Sequence, residues 1–171
     1  NVHMHNKNIW SPWRYEYLRN LELDVENVGE VSCDEPNFIS KYWNEPALDQ
    51  QNYVVDRNDN GIIFLNRYPY ANGHLLVALG TSQPMLMSYL PQERQNLWEL
   101  VETATSLMYD KLKPQGVNIG INEGMAGGAG IPQHLHVHVV PRWNGDTNFM
   151  ATIGEIRVIP SSLQEMWSLY K

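Results

Sequence analysis

Apolar and polar positions alternate with period two in several short runs of this chain, and recur every three or four residues in one long run. Period two places successive side chains on opposite faces of a strand; a period near 3.6 places them on one face of a helix. Asn52 to Asp56 and Gly61 to Asn66 therefore read as two strands joined by an Asn-Asp-Asn-Gly turn, a hairpin signal. His74 to Leu79 reads as a third strand, Val117 to Asn122 as a fourth, and the run from Gln133 to Arg142 as a fifth. Between the third and fourth, Leu97, Leu100, Val101, Ala104, Met108 and Leu112 mark one helical face, so a helix is predicted from Pro91 to Leu112, stopped by Pro114-Gln115-Gly116. Shorter helices are predicted from Ser11 and Pro12 to Asn20, from Phe38 to Trp43, and from Ser161 or Ser162 to Tyr170. With no internal repeat, these elements predict an α+β architecture, an antiparallel sheet with segregated helices.

A length of 171 residues and 43% apolar composition suit one domain. Its expected divisions are a flexible start at 1–8, a helical extension at 9–51, a core at 52–160 and a terminal helix at 161–171. No apolar run reaches the length of a membrane span, and the polar start Asn1 to Asn8 does not read as a signal peptide, so the expectation is a cytoplasmic protein with no membrane partner. Cys33 is the only cysteine, which excludes an intrachain disulfide and a four-cysteine zinc site. A net charge of −7 argues against a nucleic-acid partner, because such surfaces neutralise many phosphates with Lys and Arg.

The chemistry concentrates in Gln133-His134-Leu135-His136-Val137-His138-Val139-Val140-Pro141-Arg142. In a strand, His134, His136 and His138 would share one face at ~6.6 Å spacing, with Leu135, Val137 and Val139 on the other. Three imidazoles in a row bring polar nitrogens that need partners when buried, so the row calls for a ligand. A metal is one reading, since three histidines can hold zinc, but collinear residues on a straight strand do not converge on one ion. Just upstream, Glu123-Gly124-Met125-Ala126-Gly127-Gly128-Ala129-Gly130 is a loop whose backbone amides, from Gly127 to Gly130, could cradle phosphate and stabilise charge developing at phosphorus. Ile62, Phe64 and Asn66 share a strand face, which suits a base against Phe64 and a ribose on Asn66; a core strand ending in a turn asparagine fits the same residues. His136, with a histidine on each side to orient it or hold phosphate oxygens, is best placed as a nucleophile, and nucleotidyl transfer through phosphohistidine is the chemistry suggested.

His134-Leu135-His136-Val137-His138-Val139-Val140 resembles the signature of the histidine-triad (HIT) superfamily, with Gly73-His74-Leu75-Leu76-Val77 and Asn122-Glu123-Gly124 at that superfamily's upstream spacing. Trp10-Ser11-Pro12-Trp13-Arg14, Asn66-Arg67-Tyr68-Pro69-Tyr70, Pro141-Arg142-Trp143 and Gly145-Asp146-Thr147-Asn148-Phe149 are similar to its bacterial diadenosine tetraphosphate phosphorylase-like branch. The resemblance implies a five-stranded antiparallel sheet, a homodimer, and hydrolase or transferase activity on a purine nucleotide or dinucleoside polyphosphate, with inorganic phosphate or water as acceptor and no cofactor required. It implies His136 as nucleophile, His134 and His138 bracketing the phosphate, His74 buttressing the triad, Asn66 facing the ribose and Asn122 the phosphate or bridging oxygen. Two departures stand out. Gly130 and Ile131 occupy positions where many relatives carry a glutamine and a hydroxyl residue, and Cys33 lacks the partner of a Cys-x-x-Cys pair, so no structural zinc is expected. A metal-dependent hydrolase and a non-catalytic nucleotide sensor are the rival readings.

Overall fold

Turn chemistry builds the first hairpin. In the computed structural model, which describes residues 37–146 and 159–171, Asn58 Oδ1 accepts from the amides of Asn60 (2.9 Å) and Gly61 (3.0 Å), reversing the chain between β1 (Val54–Arg57) and β2 (Gly61–Leu65). The sheet continues through β3 (Leu75–Leu79), β4 (Gly116–Ile121) and β5 (Val137–Arg142), with spatial order β1-β2-β3-β5-β4 and every pairing antiparallel. Among the described residues three α-helices accompany it: α1 (Phe38–Asn44), α2 (Pro91–Leu112) and α3 (Leu163–Tyr170). All described residues fall within one compact unit, Asp34–Lys171. The helix expected from Ser11 to Asn20 lies outside the described residues.

Strand alternation sorts the side chains into two cores. Ile63, Leu65, Val77, Leu135, Val137 and Val139 face α2 and α3, where Leu97, Leu100, Ala104 and Met108 of α2 lie at 2% exposure or less. Each such buried aliphatic side chain contributes ~1.5–3 kcal/mol. On the opposite face Ile62, Phe64, Leu76 and Ala78 are covered by Ile39 and Tyr42 of α1. Helices thus cover both faces instead of segregating to one, although the α+β class holds.

The sheet's two edges differ. Along β1, Trp167 Nε1 donates to the Val54 carbonyl (2.9 Å) and Lys171 Nζ to the Val55 carbonyl (2.6 Å), so the end of α3 caps that edge. Among the described residues no strand pairs with the outer edge of β4, and Ile119 on it is 45% exposed.

The fifth strand begins later than the alternating pattern predicts. Its ladder with β3 covers only Leu75↔Val139, Leu76↔His138 and Val77↔Val137. Beyond that, the Leu135 amide bonds the Gln83 carbonyl (2.8 Å) past the end of β3, and Ser82 Oγ donates to the Gln133 carbonyl (2.8 Å). Only His138 of the three histidines is therefore in regular strand; His134 and His136 precede it in an extended segment held by other bonds.

Candidate active site

Four histidines, His74, His134, His136 and His138, are buried, at 0, 0, 6 and 9% exposure. His74 enters β3 behind Gly73, whose φ of +81° favours glycine and whose carbonyl accepts the Tyr170 hydroxyl of α3 (2.7 Å). The His74 and His138 rings lie 5.1 Å apart, as do those of His136 and His138, and Tyr70 stacks on His138 at 5.5 Å with 9° between ring planes.

Hydrogen bonds fix the tautomers of the neutral rings. The Tyr70 amide donates to His74 Nδ1 (3.0 Å), so the His74 proton sits on Nε2, which donates to His138 Nδ1 (3.0 Å). The proton of His138 is therefore on Nε2, a buried donor with no partner among the described residues. His136 is set the opposite way. Its Nδ1 lies 2.9 Å from the His134 carbonyl, which can only accept, so the proton is on Nδ1 and the lone pair on Nε2. Burial pushes the His136 pKa below its ordinary value, partly offset by that carbonyl; burial, and then the neighbouring His136, push His138 down to about 4. At neutral pH the site holds a nucleophilic nitrogen next to an unsatisfied N–H donor.

His134 departs from its expected place. Its Nε2 donates to the Leu79 carbonyl (2.9 Å), and its Nδ1 meets Asn37 Oδ1 (3.1 Å) and Ser40 Oγ (3.3 Å) at the start of α1. Both nitrogens are turned into the protein, which leaves His134 nothing to offer a phosphate; the second bracketing group expected there is not supplied by this ring. Burial, first, lowers its pKa, against the Leu79 bond and reinforced by His136. Among the described residues no group of three His, Cys, Asp or Glu is placed to hold an ion.

Phe64 is also corrected. It is 1% exposed, with the rings of Phe38 (6.2 Å) and Tyr42 (5.6 Å) edge-on to it, so it offers no open floor to a base. Asn66 is engaged in the turn: Oδ1 accepts from the Tyr68 amide (2.9 Å) and Nδ2 approaches His74 Nδ1 (3.3 Å), so it shapes the turn and backs His74. Asn122 and the glycine loop do come together, through Asn122 Nδ2 and the Gly128 carbonyl (3.3 Å), and Gly128 adopts φ +88°. The amides of Gly127, Gly128 and Ala129 close turns within the loop at 3.2, 2.9 and 3.1 Å, which leaves Gly130 as the amide of that set outside those turns. The loop rejoins the histidine segment where the His134 amide bonds the Ile131 carbonyl (3.2 Å).

A family model described as HIT domain matches residues 48–145. The chain belongs to the HIT family. An AP-4-A phosphorylase of Mycobacterium tuberculosis is 34% identical to this HIT protein over 158 residues, 92% of this chain and 78% of that one. The asymmetrical bis(5'-nucleosyl)-tetraphosphatase of Schizosaccharomyces pombe is 32% identical over 93 residues, 54% of this chain and 50% of its own. Among solved structures, a zinc-bound histidine triad family protein from Mycobacterium smegmatis superposes with TM-score 0.61 at 26% identity, covering 76% of this chain and 88% of that one. Asn37, Ser40 and the Leu79 carbonyl carry no motif in the HIT signature. Nothing in their spacing announces them, because each reaches the histidines by tertiary contact.

Proposed function

We propose that this HIT protein is an enzyme that splits a dinucleoside polyphosphate, through a nucleotidyl group carried on His136, with inorganic phosphate or water as second acceptor. The observation that supports it most is the pair of tautomers: His136 presents a lone pair on Nε2 while the adjoining His138 presents N–H. The names of the two relatives, a phosphorylase and a tetraphosphatase, support the substrate class.

In the reaction, His136 Nε2 attacks the α-phosphorus, a P–N bond forms, and the P–O bond to the remaining phosphates breaks with its electron pair leaving on oxygen. The His136 ring becomes positive, and its Nδ1–H bond to the His134 carbonyl strengthens as it does so. His138 Nε2–H donates to a phosphate oxygen, held in that tautomer by His74, itself oriented by the Tyr70 amide. The Gly130 amide and Asn122 are the further donors at the phosphate. An acceptor oxygen then attacks phosphorus and returns the electron pair to His136 Nε2. For the nucleoside, Phe38 of α1, 42% exposed and on the same sheet face as His138, is the aromatic surface offered to a base, in place of Phe64. No cofactor enters these steps, and the acting form is a homodimer joined through β4.

Rapid quenching after mixing with diadenosine tetraphosphate, followed by intact-mass measurement, tests the reading. An acid-labile mass increase of one nucleotidyl group is expected, absent in His136→Ala while nucleotide binding persists. Near-normal turnover of His136→Ala, or activity lost to a chelator and restored by zinc, would replace it with the metal-dependent reading. Running the reaction with and without phosphate identifies the second acceptor.

A further inference from the structure

We infer that helix α1 positions the nucleophile: Ser40, set in place by the Asn37 cap and acting through the His134 ring, helps hold the peptide whose carbonyl orients His136. The inference rests on the reaction proposed above for its kinetic consequence, and on geometry alone for the coupling itself. The carbonyl of His134 decides where the His136 lone pair points, since it takes the proton of Nδ1 (2.9 Å). Residues 134–136 lie outside the strand ladder, so that peptide rests on two other anchors: its own N–H, the Leu135 amide, bonds the Gln83 carbonyl (2.8 Å), and the His134 side chain supplies the second.

What holds it includes the His134 side chain. Its Nε2–H bonds the Leu79 carbonyl (2.9 Å). That assignment makes Nδ1 of the neutral ring an acceptor, and the hydroxyl of Ser40 (3.3 Å) is the donor within reach. Asn37 Oδ1 (3.1 Å) cannot serve, because it is an acceptor already receiving the Ser40 amide (3.0 Å) as the N-cap of α1. Ser40 therefore does two things, closing the cap with its amide and satisfying His134 with its hydroxyl. Without the hydroxyl, a fully buried nitrogen is left facing an acceptor, and the ring must turn or take up a proton. If the ring turns, the peptide that His136 relies on loses its side-chain anchor; if it takes up a proton on Nδ1, that N–H donates to Asn37 Oδ1 and a positive charge stands beside His136.

The test separates positioning from packing by its sign. Alanine is the better helix former, so if α1 merely packs, Ser40→Ala leaves catalysis unchanged. If Ser40 positions the site, Ser40→Ala lowers kcat between about tenfold and a hundredfold with KM within about twofold, and Ser40→Thr, which keeps a hydroxyl, restores it. Nitrogen-15 NMR of histidine-labelled protein gives the activity-independent readout: the His136 proton sits on Nδ1 in the native protein and in Ser40→Thr, and is redistributed between the two nitrogens in Ser40→Ala. Asn37→Asp, which retains the cap, is expected to make His134 titrate at higher pH by placing a carboxylate against Nδ1. A native His136 tautomer and native kcat in Ser40→Ala overturn the coupling, and an unchanged His134 titration in Asn37→Asp removes Asn37 from it. If the native protein turns over no dinucleotide, the proposed reaction falls while the NMR comparison still decides the coupling.

Discussion

Two imidazoles two residues apart carry opposite tautomers, and the difference comes from what each Nδ1 meets: a carbonyl at His136, a donating ring nitrogen at His138. Burial then keeps both neutral, and this sets the pH dependence. Because the folded pKa of His138 is about 4 against 6.5 for an unperturbed ring, the unfolded chain binds its proton more readily between those values. Stability is complete above the unfolded value and falls as pH drops from about 6.5 towards 4, by at most ~3 kcal/mol from this residue. Denaturant titrations at pH 7.5, 5.5 and 4.5 should show that decline in the native protein, and a smaller one in His138→Asn. The lowered pKa of His136 has a kinetic counterpart: its acid limb in kcat/KM should lie below 6.5, and a limb at or above neutrality would contradict a buried neutral nucleophile.

Among the elements, α3 shows how a remote helix supports the site. Ser162 Oγ accepts from the Glu165 amide (3.2 Å) and Glu165 Oε2 accepts from the Ser162 amide (2.8 Å), a capping box that starts the helix where the sequence places it. At its other end the buried Tyr170 donates to the carbonyl of Gly73, the residue before His74. Tyr170→Phe should therefore cost ~1–3 kcal/mol by leaving that carbonyl unpaired, measurable as a lower denaturation midpoint with unchanged slope. It should also broaden the His74 resonances more than those of His134, which is held from α1. The predicted bounds of α2 match Pro91–Leu112 because proline at one end and Pro114-Gln115-Gly116 at the other are local signals. The beginning of β5 does not match, because alternation specifies which way side chains point but not where a neighbouring strand stops offering bonds.

For the whole molecule the unequal edges matter most. Side chains at the end of α3 cap β1, whereas among the described residues no strand pairs with the outer edge of β4 and Ile119 is exposed on it, the arrangement that admits a second strand. In the proposed dimer two copies of β4 pair, so sedimentation should give about twice 19.7 kDa at micromolar concentration. Ile119→Lys should shift the population towards monomer while leaving the fold intact, and a native protein sedimenting only as monomer would remove β4 from that role. The aromatic Trp10 to Tyr17 segment, a second reason to expect a dimer, lies outside the described residues.

The sequence by itself determined the order and type of the described strands and helices and the two-sided patterning of the strands, because alternation, capping residues and turn residues act within a few positions of one another. Leu135, Val137 and Val139 enter the core on the side their spacing dictates. Only the tertiary structure decided what each histidine does. His134 turns to Leu79, Asn37 and Ser40 instead of towards a ligand, and His138 receives its proton assignment from His74, 64 residues away along the chain. Phe64 likewise becomes core instead of floor once α1 folds over it. Periodicity orients a side chain relative to its own backbone. A hydrogen-bond role depends on which donor or acceptor another segment brings within about 3 Å, and no local pattern carries that information.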